Sequence, residues 1–298
     1  MVRAGPRRAD LESCEELIGL DVYLNGEFVP YEKATVSVED RGLLFADGIY
    51  EVVRTYRGKL FALEPHLDRL VRSAALMRLP LPPREEIRSA IEECARRSGL
   101  PEAAVYVQVT RGAPGPRKHA MPKESRPTIF MIARDAPLPD PKPISKAVAC
   151  ITVPDLRWHM CNVKSVGLFL NTLAKTQAEE AGAAEAIFVR DGVVTEGSST
   201  NLFAVIDGVL RTHPEGPHIL SGITRLHIIE VAKELGIPVR EEAFGVTDML
   251  RASEVFYTGT NSEAIPVGLI DGHVIGEGTP GPVAARVRDA LLRKAGAI

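Results

Sequence analysis

A two-domain protein of the α+β / α/β type is what this sequence predicts, on three observations. Asn-Gly or Asp-Gly recurs between runs of strand character, as in "VYLNGEFVP", "AIFVRDGVVTE", "FAVIDGVLRT" and "GLIDGHVIGEG". That dipeptide suits the tight type I′ turn of an antiparallel hairpin. Helical patterns lie between the hairpins, which argues for antiparallel sheets with helices set among them rather than a doubly wound sheet. A stretch at 136–143, "APLPDPKP", holds four prolines in eight residues and can continue neither helix nor strand.

Residues 1–19 read as an N-terminal extension, with arginines but no apolar segment behind them. A smaller N-terminal domain is expected over 20–135. It opens with the Asn25-Gly26 hairpin and continues through a strand around Tyr50 and a weaker hairpin in "VVRTYRGKLFAL". From Pro65 to Leu79, residues Leu67, Leu70, Val71, Ala74 and Met77 keep the three-and-four spacing of a helix. Ile87, Ala90, Ile91 and Cys94 repeat it, with Ser98-Gly99 as a stop. "AVYVQVTRG" and "RPTIFMIARD" read as strands. Residues 136–143 form the linker, and 144–298 the larger domain. There helices are expected over about 166–181, 223–235 and 282–294, alternating with the Asp-Gly hairpins.

The chain has 298 residues, a net charge of −3 and 45% hydrophobic residues, which is ordinary for a globular protein. That charge gives no argument for nucleic acid or an anionic membrane, and no apolar run approaches the roughly 20 residues of a membrane span. Cysteines 14, 94, 150 and 161 form no CxxC pair and no zinc spacing, and they read as reduced thiols of a cytoplasmic protein. Neither GxGxxG opening a helix nor GxxxxGK[ST] occurs, so no nucleotide fingerprint is available.

The candidate chemistry begins with Lys164 in "CNVKSVGLFLNTLAK", at the head of a mostly apolar run. It is either a lysine whose stem covers apolar surface or a desolvated amine nucleophile. A Schiff-base lysine would require pyridoxal phosphate, and with it an acid for the pyridine nitrogen, anion donors and a substrate cation. Glu196 in "VVTEGSSTNLF" could supply the acid, or be a solvated turn residue. Ser221-Gly222 precede a periodic helix whose first N–H groups, those of Ile223 and Thr224, could hold an anion or simply be capped. Thr260 adds a hydroxyl, and Arg69 is a cation on a helix with one apolar face. In "RGAPGPRKHAMP", Arg117 and His119 stand two apart and can face one carboxylate. Tyr50 offers a phenolic donor from a strand.

"EDRGLLFADGIYEVVRTY", "CNVKSVGLFLNTLAK", "AIFVRDGVVTEGSSTNLF" and "LSGITR", in this order and spacing, resemble the class IV pyridoxal-phosphate aminotransferases from about Asp21 to the C-terminus. The resemblance implies fold type IV, a cofactor between the two domains and a homodimer. It makes Lys164 the Schiff-base lysine and Glu196 the partner of the pyridine nitrogen. Arg69, Ile223, Thr224 and Thr260 would hold the phosphate, Leu220 would lie behind the ring and Ser199 near its nitrogen. "YEVV" at 50–53, Arg117-Lys118-His119 and Arg157-Trp158 are similar to the D-amino-acid branch. Tyr50, Arg117 and His119 would then trap the substrate carboxylate, the last two from the neighbouring subunit.

The implied reaction moves the amino group of a D-amino acid such as D-alanine to a 2-oxo acid, with pyridoxamine phosphate between the two halves. Alternatives on the same fold are a branched-chain L-amino-acid or (R)-amine transaminase, and, further off, an aminodeoxychorismate lyase. A catalytically silent cofactor-binding protein would leave the retained residues unexplained. Two departures stand out. Gly259 replaces a frequent serine beside Thr260, and the loop "RGAPGPRKH" looks one residue longer than usual.

Overall fold

The computed structural model describes residues 20–298, so the expected extension over 1–19, Cys14 included, lies outside the described residues. Two sheets carry the chain. The first has six strands: β1 (Asp21–Leu24), β2 (Glu27–Pro30), β3 (Gly48–Tyr56), β4 (Lys59–Leu60), β5 (Ala103–Thr110) and β6 (Thr128–Asp135). Their order is β2-β1-β6-β5-β3-β4, antiparallel throughout. Helices α1 (Arg41–Phe45), α2 (Leu63–Met77) and α3 (Arg84–Arg97) belong to this half.

Alternation along β3 and β5 sends Ile49, Val53, Val105, Val107 and Val109 under α2 and α3, where none is exposed. The opposite face, with Tyr50, Val52, Tyr106 and Gln108, is only half-buried. It therefore leaves Tyr50 open to a neighbour.

The second sheet has nine strands: β7 (Val148–Pro154), β8 (Glu185–Arg190), β9 (Val193–Gly197), β10 (Asn201–Ile206), β11 (Val209–Thr212), β12 (Val239–Glu241), β13 (Glu254–Thr258), β14 (Ile265–Ile270) and β15 (His273–Val274). The main path runs β12-β11-β10-β13-β14-β7-β8-β9, with β15 paired to β14. Pairing is parallel at β11–β12, β14–β7 and β7–β8 and antiparallel elsewhere. The mixture fits an α+β arrangement rather than a doubly wound one.

Its helices are α4 (Phe169–Glu180), α5 (Ile223–Glu234), α6 (Val246–Leu250) and α7 (Pro282–Lys294). Strand β10 is buried along its whole length, because α6 covers one side and α5 with α7 the other. Residues 136–147, between β6 and β7, join the two sheets.

All five hairpin turns form as expected, with positive φ at both central residues of Asn25-Gly26, Arg57-Gly58, Asp191-Gly192, Asp207-Gly208 and Asp271-Gly272. Three readings need correction. The helix expected from residue 166 begins at Phe169, because the chain before it is extended: Ser165 bridges Ile49, and the Val166 N–H donates to Gly48 O at 3.1 Å. The apolar run after Lys164 is also not packed inward, since Phe169 is 75% exposed and Leu173 is exposed as well. Val71, likewise expected on an apolar face, is exposed on α2.

Candidate active site

Lys164 sits on the extended segment before α4, and its main chain is held from two elements. Tyr50 N–H on β3 donates to Lys164 O at 2.9 Å, and Lys164 N–H donates to Ser73 Oγ on α2 at 3.3 Å. Its ammonium lies 4.1 Å from the centre of the Tyr50 ring, a cation–π contact. The half-buried amine therefore leaves a rigid backbone and enters a cavity of about 720 Å³. Ligand sites occupy roughly 300–1,000 Å³. Tyr50, Lys164, Glu196, Ser199 and Leu220 all line this space.

Glu196 is no solvated turn residue: it lies near the end of β9 with 4% exposure. One carboxylate oxygen accepts from Arg157 Nη1 at 2.6 Å; the other accepts from Asn201 Nδ2 at 3.0 Å and Leu220 N–H at 2.9 Å. Burial pushes its carboxyl up to about 7, against the pull of Arg157 and of the Leu220 amide. A carboxylate so raised shares a proton with a ring nitrogen more readily than a solvated one.

Arg157 is itself forked onto Asp155 at 2.8 and 3.0 Å and stacks on Phe188 at 4.1 Å. Arg157, Asp155 and Asn201 thus complete the site without having been singled out for this role from sequence. The Asp-x-Arg spacing was the available signal, but it does not say that Glu196 stands across from it.

A second cluster gathers Ile223, Thr224, Gly259 and Thr260 around a narrow space of about 10 Å³. Gly222 is the N-cap of α5 and no side chain caps the helix, so its first N–H groups remain for an anion. Ser221 instead turns its hydroxyl to Glu215. Arg69 is buried rather than on the surface. It forks onto Glu51 with two bonds of 2.7 Å and donates to Ser221 O, just before α5, at 2.9 Å.

Glu51 also accepts from His66 Nδ1 at 2.8 Å. Because a carboxylate only accepts, the imidazole proton is on Nδ1. Although burial opposes ionisation of Glu51, Arg69 and His66 outweigh it and hold the carboxyl at about 2. Glu51 and His66 were also missed; they fix Arg69 from below.

Arg117 and His119 are exposed and do not line the Lys164 cavity of their own chain. They do share a side, as the i, i+2 spacing implied. The Arg117 guanidinium stands 4.7 Å from the Phe45 ring centre, and the His119 ring 5.5 Å from it.

A lysine and a buried carboxylate share one cavity, and the uncapped N–H groups at the start of α5 can receive an anion, a donor set that suits a phosphorylated aldehyde cofactor. The sequence profile of the family described as Amino-transferase class IV matches residues 48–270, and the chain belongs to that family of pyridoxal-phosphate-dependent transaminases. Among its relatives, the D-alanine aminotransferase of Bacillus licheniformis is 40% identical over 273 residues, covering 91% of this chain and 96% of its own. That of Listeria monocytogenes is 42% identical, covering 92% and 96%. Solved structures include the Escherichia coli branched-chain amino acid aminotransferase, with TM-score 0.85 and 30% identity over 93% of this chain and 95% of that one. The T.th. branched-chain amino acid aminotransferase, solved with pyridoxamine 5'-phosphate, has TM-score 0.85 and 33% identity at the same coverage.

The residues present fit the cofactor. A Cβ on Gly222 would come within 2.0 Å of Asn201 Oδ1, so only glycine brings the uncapped start of α5 this close to the residue that holds Glu196. The buried Thr258 hydroxyl, next to Gly259, has no partner. Polar groups without partners are costly unless a ligand or water meets them.

Proposed function

We propose that this chain is a D-amino-acid transaminase that takes the amino group of D-alanine-type donors and passes it to a 2-oxo acid such as 2-oxoglutarate. The observation that carries the reading is Tyr50, Lys164 and Glu196 converging on one cavity, in a chain 40–42% identical to D-alanine aminotransferases over more than nine-tenths of its length. The 30–33% identity to branched-chain enzymes supports the fold equally but the specificity less. Arg117, His119 and Tyr50 supply the donors that a substrate carboxylate requires.

Pyridoxal phosphate, when bound, carries the amino group between the two half-reactions and acts as the electron sink. Lys164 would hold it, and the free amine of Lys164 would move a proton at the substrate Cα. The Tyr50 amide on β3 holds the Lys164 main chain, which gives that amine a fixed base in the cavity. Glu196 would hold the proton at the ring nitrogen, and Arg157, Asn201 and the Leu220 amide hold Glu196. Leu220 and Ser199, which line the same cavity, would be the residues against the ring. Arg69, the Ile223 and Thr224 amides and Thr260 would anchor the phosphate. The carboxylate trap decides which face of Cα meets Lys164, so handedness comes from Arg117 and His119 rather than from the lysine. Two half-reactions on one site predict ping-pong kinetics.

The working assembly in this reading is a homodimer of two-domain chains, split at 136–143. Arg117 and His119 do not line their own chain's cavity, while Leu43, Trp158 and Phe169 expose large apolar surfaces. Such surfaces commonly mark interfaces. The described cysteines 94, 150 and 161 are free, which suits a reducing, cytoplasmic setting. Among the described residues no helix is long and apolar enough to cross a membrane.

The test is the absorption spectrum of the holoenzyme before and after D-alanine, and separately L-leucine. Loss of the cofactor's violet band with D-alanine alone is the expected result. Loss with L-leucine alone moves the function to branched-chain L-amino acids.

A further inference from the structure

The motif "EDRGLLFADG" (39–48) takes no part in the chemistry above, yet its Asp40, Arg41 and Asp47 are buried, and Asp40 and Arg41 bond to one loop and its stems. Residues 112–127, between β5 and β6, contain no helix or strand and carry Arg117 and His119. Both stems of this loop are tied to the motif. Arg41 N–H donates to Gly112 O at 2.9 Å, and Thr128 Oγ1 donates to Asp40 Oδ2 at 2.6 Å. The part that bears the trap residues is tied by the Arg41 side chain, whose Nη1 donates to Lys118 O at 2.6 Å and Nη2 to His119 O at 3.5 Å.

Arg41 is itself fixed. Its Nε donates to Asp47 at 2.8 Å, and Arg111 grips the same carboxylate at 2.8 and 3.0 Å. Arg111 in turn caps the end of α2 through the Met77 and Arg78 carbonyls, at 2.9 and 2.7 Å. Burial opposes the Asp47 charge, but bonds from Arg111 and Arg41 bring its carboxyl below the usual range. One carboxylate thus serves two guanidiniums, and Arg41 spends its remaining donors on loop carbonyls.

Phe45 completes the arrangement. Arg41 lies 4.5 Å and Arg117 4.7 Å from its ring centre, so the holding and the held arginine share one aromatic platform. The first of the motif's two glycines is needed for closeness, since a Cβ on Gly42 would meet Thr110 Cγ2 at 2.3 Å.

We infer that Arg41 is a positioning residue for substrate specificity: through the Lys118 and His119 carbonyls, with Phe45 as platform, it sets where Arg117 and His119 meet a substrate carboxylate. A bare lysine could not do this, because its point charge cannot span Asp47 and two carbonyls as a planar fork does. The inference rests on Arg117 and His119 being the carboxylate trap, and the experiment separates the two.

The holoenzymes of wild type, Arg41→Gln, Arg41→Lys and Arg117→Ala are compared with D-alanine and with methoxyamine, which captures the bound cofactor without a carboxylate. Misplacing a binding group by about 1 Å costs up to ~100-fold. The expected result for both Arg41 variants is a fall of about 10- to 100-fold in kcat/KM for D-alanine, carried mainly by KM, with methoxyamine capture unchanged. Tryptic cleavage after Lys118 should also quicken.

Equal losses toward both reagents would make Arg41 a general structural residue and overturn the inference. Unchanged D-alanine kinetics in the Arg41 variants, with Arg117→Ala impaired, would overturn it while leaving the trap intact. Unchanged kinetics in Arg117→Ala would remove the trap itself. Should Arg41→Gln not fold, Arg41→Lys decides alone, since it retains the charge beside Asp47.

Discussion

Gly259 shows how much one missing side chain can be tested. A Cβ built there meets its nearest atoms, Ser262 Oγ and Thr200 Cγ2, at 3.7 Å, which is ordinary contact, and the backbone is not left-handed. The position therefore has room for a hydroxyl beside Thr260. Gly259→Ser should slow cofactor loss about 3- to 10-fold, the equivalent of one modest hydrogen bond of roughly 1 kcal/mol. Dialysis followed by the cofactor's absorbance checks this; a rate unchanged or faster would mean that the phosphate does not lie against residue 259. Residue chemistry alone did not place these groups. Arg69 and Glu196 are types that are mostly exposed, and only the tertiary structure buries them, each with its own set of partners.

At the scale of elements, α2 and β3 are joined through Glu51, Arg69 and His66. Removing one charge from a buried pair costs roughly 3–5 kcal/mol, because the partner is left uncompensated. Glu51→Gln should thus lower stability on that order and loosen phosphate anchoring by Arg69, as read in urea unfolding with and without cofactor.

The pH dependence follows from the carboxyl being lowered to about 2 from its ordinary 4.5. Its stabilisation is complete above about pH 4.5 and is lost as pH falls toward 2, where the folded form also takes up the proton. The gap between wild type and Glu51→Gln should therefore narrow on acidification through that window. A constant gap would show that the pair's charge is not what holds α2 to β3.

Hairpins and long helices were legible because a dipeptide or a local period specifies them. The α4 boundary was not. The pairing of Ser165 with Ile49, 116 residues earlier, overrides the apolar run that suggested a helix.

Across the whole molecule, the exposed apolar face near the cavity is the feature a single chain does not explain. Phe169 is 75% exposed and Trp158 45%, and both line the cavity. If a second copy covers this face, Phe169→Glu should shift the protein from dimer to monomer in size-exclusion chromatography with light scattering. It should also lower the D-alanine half-reaction at least tenfold, since a trap from the partner would be lost. A variant that remained dimeric with full activity would place the interface elsewhere.

By itself the sequence determined the hairpin turns, the long helices and the family, because each is written in local patterns or in ordered motifs. Only the tertiary structure decided that Glu196 is buried against Arg157 and Asn201. It likewise decided that Arg69 is gripped by Glu51, and that Arg41 reaches across 77 residues to the Lys118 carbonyl. These are contacts between groups far apart in the chain. Their energies depend on burial and geometry, and neither is encoded at any one position.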